Sequence, residues 1–349
     1  MSHEFIYFDR NENPYGPAPA CFDVLRNATI EQMSCYSRDF ARGVQSPLSE
    51  RLASDFDLPE SAILLGYGGE DILKQTVHCY LSAGERIMIP SHSWWYYKSI
   101  SDEVGGLKIE YPIVEGATSF SYDCERMIEL YRAHAPRVVL ISSPNNPTGN
   151  SMPRDIMLQL LESLPDTVVV LDEAYCLHSD LEAGFLRELY HRFPNLLVVR
   201  TFSKYFALAG VRIGYAVMGR QLTRLAQFSA RYLGYHRLSE RVALAALDSP
   251  DYYRTIAGYM DADKALFRER LHRYPGFTVY DSDANFLLVK LPVEYRNSLK
   301  ETLTARGLIV KFMNEEALQS HMRITIGTRE QNRLLLDAID VFMARTGDA

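Results

Sequence analysis

A chain of 349 residues, 47% apolar and 23% charged, is long enough for about two domains and a sizeable core. Its formal charge of −7, from 37 basic and 44 acidic residues, gives no general attraction to nucleic acid or to an acidic membrane surface, while leaving room for a small basic pocket that takes one anionic substrate. Five cysteines without a C-x-x-C pair (Cys21, Cys35, Cys79, Cys124 and Cys176) argue against a disulfide framework or a zinc site and for a reduced, cytoplasmic setting. The first residues, Met1 to Phe5, lack a basic segment followed by an apolar run, so no signal peptide is expected. The apolar runs are too short to span a bilayer.

In chain order, apolar runs at 62–65, 86–89, 138–142, 168–171, 197–200 and 213–217 predict strands, with helical periodicity between several of them, as at 155–163 and 183–192. The run Val168-Val169-Val170-Leu171 has no polar alternation, the pattern of a strand buried on both faces. These repeated β-α units predict an α/β domain over about residues 36–247, with a mostly parallel sheet covered by helices. The rest reads as a smaller α+β unit made of 1–35 and 248–349. It holds a long helix near 252–274, strands at 277–280 and 285–289, a helix around 296–306, strands at 308–312 and 322–326, and a terminal helix from about residue 329.

Four strand ends carry candidate chemistry. Gly66-Tyr67-Gly68-Gly69-Glu70 follows the first strand and opens a helix; small residues there let backbone N–H groups approach a phosphate. Ser143 to Gly149, read as S-P-N-N-P-T-G, follows the strand at 138–142. It is good turn chemistry in its own right, and Asn146 could also donate to a ring oxygen of a bound cofactor. Asp172 ends the strand at 168–171, with Tyr175 three residues on; such a carboxylate is either structural or the partner of a protonated pyridine nitrogen. Thr201-Phe202-Ser203-Lys204 follows the strand at 197–200, and Arg212 precedes the next one. Alone this is a surface loop; together, hydroxyls and an arginine can cradle a phosphate beside an amine.

In this order the motifs resemble those of fold-type I pyridoxal-5′-phosphate (PLP) enzymes, close to the histidinol-phosphate aminotransferase group. The resemblance runs from about Asp9 to the C-terminus and also rests on Asn11-Glu12-Asn13-Pro14-Tyr15-Gly16-Pro17, on Ala209 to Tyr215 and on Arg323 to Thr328. It implies a PLP-dependent aminotransferase that moves an amino group between a small amine or amino acid, with or without a phosphate, and a 2-oxo acid. By the resemblance Lys204 carries the cofactor, Asp172 pairs with the ring nitrogen, and Asn146 and Tyr175 hold the ring oxygen. Gly69, Glu70, Thr201, Ser203 and Arg212 surround the phosphate, and Tyr36 reaches the phosphate of a neighbouring subunit in a homodimer. Arg323, Asn13 and Lys311 face the substrate.

Three positions depart from the group's pattern. His92 stands where an aromatic ring usually stacks on the cofactor, and a shifted alignment gives that place to Trp94 or Trp95. Lys311 replaces a usual arginine, keeping the charge but losing the bidentate fork. Gly234 to Leu238 lacks the usual motif. All three lie on the substrate side, which leaves a PLP-dependent decarboxylase, elimination enzyme or cyclase as the alternative. A dinucleotide oxidoreductase would need a glycine fingerprint that is absent.

Overall fold

The computed structural model describes residues 5–177 and 183–346; the first four residues, on which part of the signal-peptide reading rests, lie outside them. The strands in chain order are β1 Ile6–Phe8, β2 Ile63–Gly66, β3 Arg86–Pro90, β4 Leu107–Tyr111, β5 Ile113–Glu115, β6 Phe120–Tyr122 and β7 Val138–Ser142, then β8 Val168–Asp172, β9 Leu196–Thr201, β10 Gly214–Met218, β11 Thr278–Val279, β12 Phe286–Lys290, β13 Leu308–Phe312 and β14 His321–Thr325. Seven of them form a sheet in the order β2-β10-β9-β8-β7-β3-β4. Only β10 runs against its neighbours; the other pairs are parallel.

The central strands are apolar on both faces because both faces are covered. Val139 and Ile141 of β7, Val169 and Leu171 of β8, and Val198 of β9 enter one core. Their alternates Val138, Leu140, Val170, Leu197 and Val199 enter a second core across the sheet. Period-2 alternation sends adjacent side chains to opposite faces, so a continuous apolar run is what a twice-covered sheet requires.

A second sheet, β1-β13-β14-β12-β11, is antiparallel except where β1 runs beside β13. The N-terminal chain thus joins a sheet whose other strands come from after residue 277. It then forms the helix Pro19–Arg26, which packs on the helix Arg237–Leu247 through the Cys21 thiol and the Val242 carbonyl. Three features escape the sequence reading: the strand β1, the edge strand β4, whose Lys108 and Glu110 interrupt the apolar run, and the β5–β6 hairpin. No helix among the described residues is long and apolar enough to cross a membrane.

Glu240, in the helix Arg237–Leu247, is 3% exposed, and its Oε2 has no hydrogen-bond partner. Burial raises its pKa from 4.5 to about 7, opposed by the Ser46 hydroxyl and the Leu48 N–H. A folded pKa above the unfolded one means that its contribution is complete below the unfolded value and lost as pH rises through the folded one. Glu240→Gln should therefore stabilise the protein by on the order of 2–3 kcal/mol at about pH 8 and by little at about pH 5. Thermal melts at the two pH values check this, and a variant less stable than wild type at the higher pH contradicts it.

Candidate active site

The site lies where β7, β8 and β9 end and β2 turns into the helix Gly69–Tyr80. Gly68 holds φ +89° at that turn, a left-handed conformation that glycine adopts without strain. A Cβ on Gly68 would come within 2.8 Å of the Arg212 guanidinium, so the turn and the arginine are packed together. Arg212 donates to the Tyr67 and Ala209 carbonyls, each at 3.2 Å, and lies 3.4 Å from the Glu70 carboxylate. The Thr201 hydroxyl accepts from the Ser203 N–H at 3.1 Å and lies 2.9 Å from the Ser203 hydroxyl. The free first-turn N–H groups of the helix, two hydroxyls and a guanidinium make an anion cradle.

Asp172 ends β8 and is 4% exposed. Its Oδ1 accepts from the Ala174 N–H at 3.0 Å and its Oδ2 from the Tyr97 phenol at 2.6 Å. Burial raises its pKa, and those two donors pull it down. Behind it Glu173 and Arg200 form an ion pair at 2.7 Å that is almost wholly buried, tying the end of β8 to β9. The Tyr175 hydroxyl accepts from the Asn146 and Asn11 amides at 3.0 and 3.2 Å. Arg323 donates to Asn146 Oδ1 and to the Asp9 carbonyl, while its buried Nε has no partner. Burial lowers the pKa of Arg323, and Tyr175, Asp9 and Glu315 oppose the shift. Lys204 Nζ donates to the Arg10 carbonyl at 3.2 Å and stands 5.4 Å from the centre of the Tyr175 ring.

One cavity of about 800 Å³ gathers most of the residues singled out from the sequence: Gly69, Glu70, Asn146, Asp172, Tyr175, Thr201, Ser203, Lys204, Arg212, Lys311 and Arg323. Three others lie elsewhere. His92 is not among the lining residues; its ring meets Phe120 edge-on at 6.3 Å, and Trp94 and Trp95 line the cavity instead. Asn13 spends its amide on the Tyr205 carbonyl and the Tyr15 N–H, whereas Asn11, at φ +54°, lines the cavity. Tyr36 is 72% exposed and outside this cavity. Sequence reasoning missed Tyr97 and Asn11. The aromatic run Trp94 to Tyr97 after β3, and an asparagine's tolerance of left-handed backbone, are the signals that pointed to them.

A family model for class I and II aminotransferases matches residues 4–339. The chain belongs to this family. Among curated aminotransferases it is 32% identical to a histidinol-phosphate aminotransferase of Ruminiclostridium cellulolyticum over 96% of this chain and 91% of that one. It is also 32% identical to histidinol-phosphate aminotransferase 2 of Archaeoglobus fulgidus, over 96% and 92%. The fold matches the crystal structure of histidinol-phosphate aminotransferase from Sinorhizobium meliloti in complex with pyridoxal-5′-phosphate, with a TM-score of 0.83 at 23% identity, covering 95% of this chain and 88% of that one.

The residues of this aminotransferase fit PLP. A buried carboxylate faces the cavity at Asp172, a phenol and an amide converge at Tyr175 and Asn146, and the amine of Lys204 opens onto the same space. The glycine turn packs on Arg212, and its φ of +89° at Gly68 favours glycine there. Among the described residues no group of three or more His, Cys, Asp or Glu could hold a metal ion.

Proposed function

We propose that this aminotransferase holds PLP on Lys204 and moves an amino group from a small amine bearing a phosphate or carboxylate to a 2-oxo acid. The observation that carries the reading is the convergence of Lys204, Asp172, Asn146 and Tyr175, from three different strand ends, on one cavity. When bound, the cofactor supplies an aldehyde that joins amines and a ring that draws electrons from the substrate's Cα bonds.

The protein's own groups do the rest. Asp172 would pair with the ring nitrogen of the bound cofactor. Asn146 and Tyr175 hold the ring oxygen. The helix N-terminus at Gly69 and Glu70, with Thr201, Ser203 and Arg212, holds the phosphate. Lys204 Nζ would hold the cofactor and, when free, would serve as the base that takes the proton from the substrate's Cα. Trp94 and Trp95 line the cavity and would offer aromatic surface to a bound ring. Arg323, with its unpartnered Nε, grips the anionic group of each substrate in turn; Lys311, directly opposite it across β13 and β14, adds a second cation. The relatives named for histidinol phosphate support a phosphorylated donor.

We also propose a homodimer in a reduced cytoplasmic compartment. Ile30, Met33, Tyr36, Phe40, Tyr232 and Leu233 are each more than half exposed. Phe40 meets Tyr232 edge-on at 5.4 Å, and Gly234 packs against Ser37, so much of this set forms one apolar face of the kind that marks an interface. Cys21, Cys35, Cys79 and Cys124 form no disulfide among the described residues.

Lys204→Ala should abolish both turnover and the borohydride-trappable cofactor adduct; retained turnover ends the assignment. Wild-type protein given donor without a 2-oxo acid should accumulate pyridoxamine phosphate, whereas release of carbon dioxide without it marks a decarboxylase. Lys311→Ala should lower kcat/KM for a phosphorylated donor by about 10- to 100-fold, the effect of one charge-assisted hydrogen bond, and spare a donor that lacks the phosphate. An equal loss on both donors removes Lys311 from phosphate binding. Sedimentation equilibrium should give twice the chain mass, and a monomer at micromolar concentration rejects the dimer.

A further inference from the structure

Tyr97 is a large, fully buried residue of the core on one face of the sheet, and packing alone would explain its ring. Its hydroxyl needs a separate explanation. A buried phenol can satisfy itself on any carbonyl, as Tyr111 does on Leu140 and Tyr235 on Leu65. Tyr97 instead donates to Asp172 Oδ2 at 2.6 Å. With the Ala174 N–H on Oδ1, each carboxylate oxygen then has one fixed donor, and the plane of the group is set. An ionised carboxylate has about four lone-pair sites, so acceptor capacity is left on the side where Asp172 lines the cavity.

The same residue belongs to the cavity wall. Tyr97 lies in the helix Trp95–Glu103, meets Trp94 edge-on at 5.9 Å and itself lines the cavity. A neutral donor has an advantage over a cation here. A cation beside Asp172 would neutralise the carboxylate and compete with a positively charged ring nitrogen for it. A phenol stabilises the ionised carboxylate and leaves its charge in place. Removing that donor makes the carboxylate more basic, and a shared proton moves from the ring nitrogen to the acid.

We propose that Tyr97 is a positioning residue acting through Asp172: its phenol fixes the carboxylate and keeps the shared proton on the ring nitrogen of the bound cofactor. The inference rests on the PLP reading above. Its test uses holoenzyme reconstituted with PLP carrying nitrogen-15 in the ring. In wild type the ring nitrogen should resonate as a protonated pyridine. In Tyr97→Phe, which keeps the ring and its contact with Trp94, the resonance should move toward the unprotonated position and kcat should fall about 10-fold or more.

A purely structural role lowers the melting temperature and leaves the nitrogen-15 shift where it was; that result overturns the proposal. If Tyr97→Phe does not fold, the same spectrum on Ser142→Ala decides, because Ser142 faces Asp172 in the β7–β8 register and its hydroxyl opposes the rise of the Tyr97 pKa. A smaller movement in the same direction supports the proposal, and an unmoved resonance overturns it. Wild type that binds no labelled cofactor at all fails the PLP reading instead, so the two failures are distinguishable.

Discussion

A carboxylate removed from water is held in the charged form only by what surrounds it, and Asp172 sits at the end of a strand whose neighbours are valines and leucines. Desolvation pushes such a group toward its neutral form. Two donors oppose this, the Ala174 N–H and the Tyr97 phenol, and among the described residues no cation is hydrogen-bonded to it. The nearby buried cation, Arg200, is paired with Glu173 instead. The chain therefore places a carboxylate in a dry place with two neutral donors on it. That arrangement suits the proposed pairing of Asp172 with a cationic ring nitrogen in the cavity.

The sheet order explains why the other groups are in reach. The strands β7, β8 and β9 are adjacent and parallel, so Ser142, Asp172 and Thr201 end on one edge, and the segments that follow them open into one crevice. The strand β10 runs the other way and pairs with both β9 and β2. It begins at that edge, where Gly214 faces Thr201 and Gly66, so Arg212 just before it lies against the glycine turn that follows β2. The two halves of the cavity, proposed to take the ring and the phosphate, are thus fixed by backbone register. Binding at the carboxyl ends of parallel strands is the general consequence of this topology.

This is also why the cofactor half was legible in the sequence and parts of the substrate half were not. A continuous apolar run marks a central strand, and the residue just past it is then known to lie at the mouth of the sheet. Asp172, Asn146 and Lys204 could be placed in this way. His92 could not, because after Pro90 the chain runs through several irregular residues before the helix at Trp95, and no period fixes which side chain turns inward. Asn11 and Asn13 differ by a single left-handed residue, and only the backbone angle shows which amide faces the cavity. The strand β4 was lost for another reason. It is a half-exposed edge strand with alternating Lys108 and Glu110, and that alternation lacks the continuous apolar signal of its neighbours. Tyr97 lies on a helix, where its contact with β8 depends on tertiary packing.

The second sheet shows the same logic in its charges. The register of β13 and β14 sets Lys311 directly opposite Arg323, and like charges facing each other weaken a strand pair. Arg323 is further disfavoured by burial, and one of its nitrogens lacks a partner. A fold selected for stability alone would separate these cations or give each a carboxylate. Here the opposing carboxylates, Asp9 and Glu315, act on Arg323 without forming an ion pair with it. An anion bound between the two cations would offset both the repulsion and the missing hydrogen bond, while Asp172 on the opposite sheet awaits a cation. The two sheets thus present opposite unmet charges to one cavity, and a ligand with a positive ring nitrogen at one end and an anionic substrate group at the other meets both.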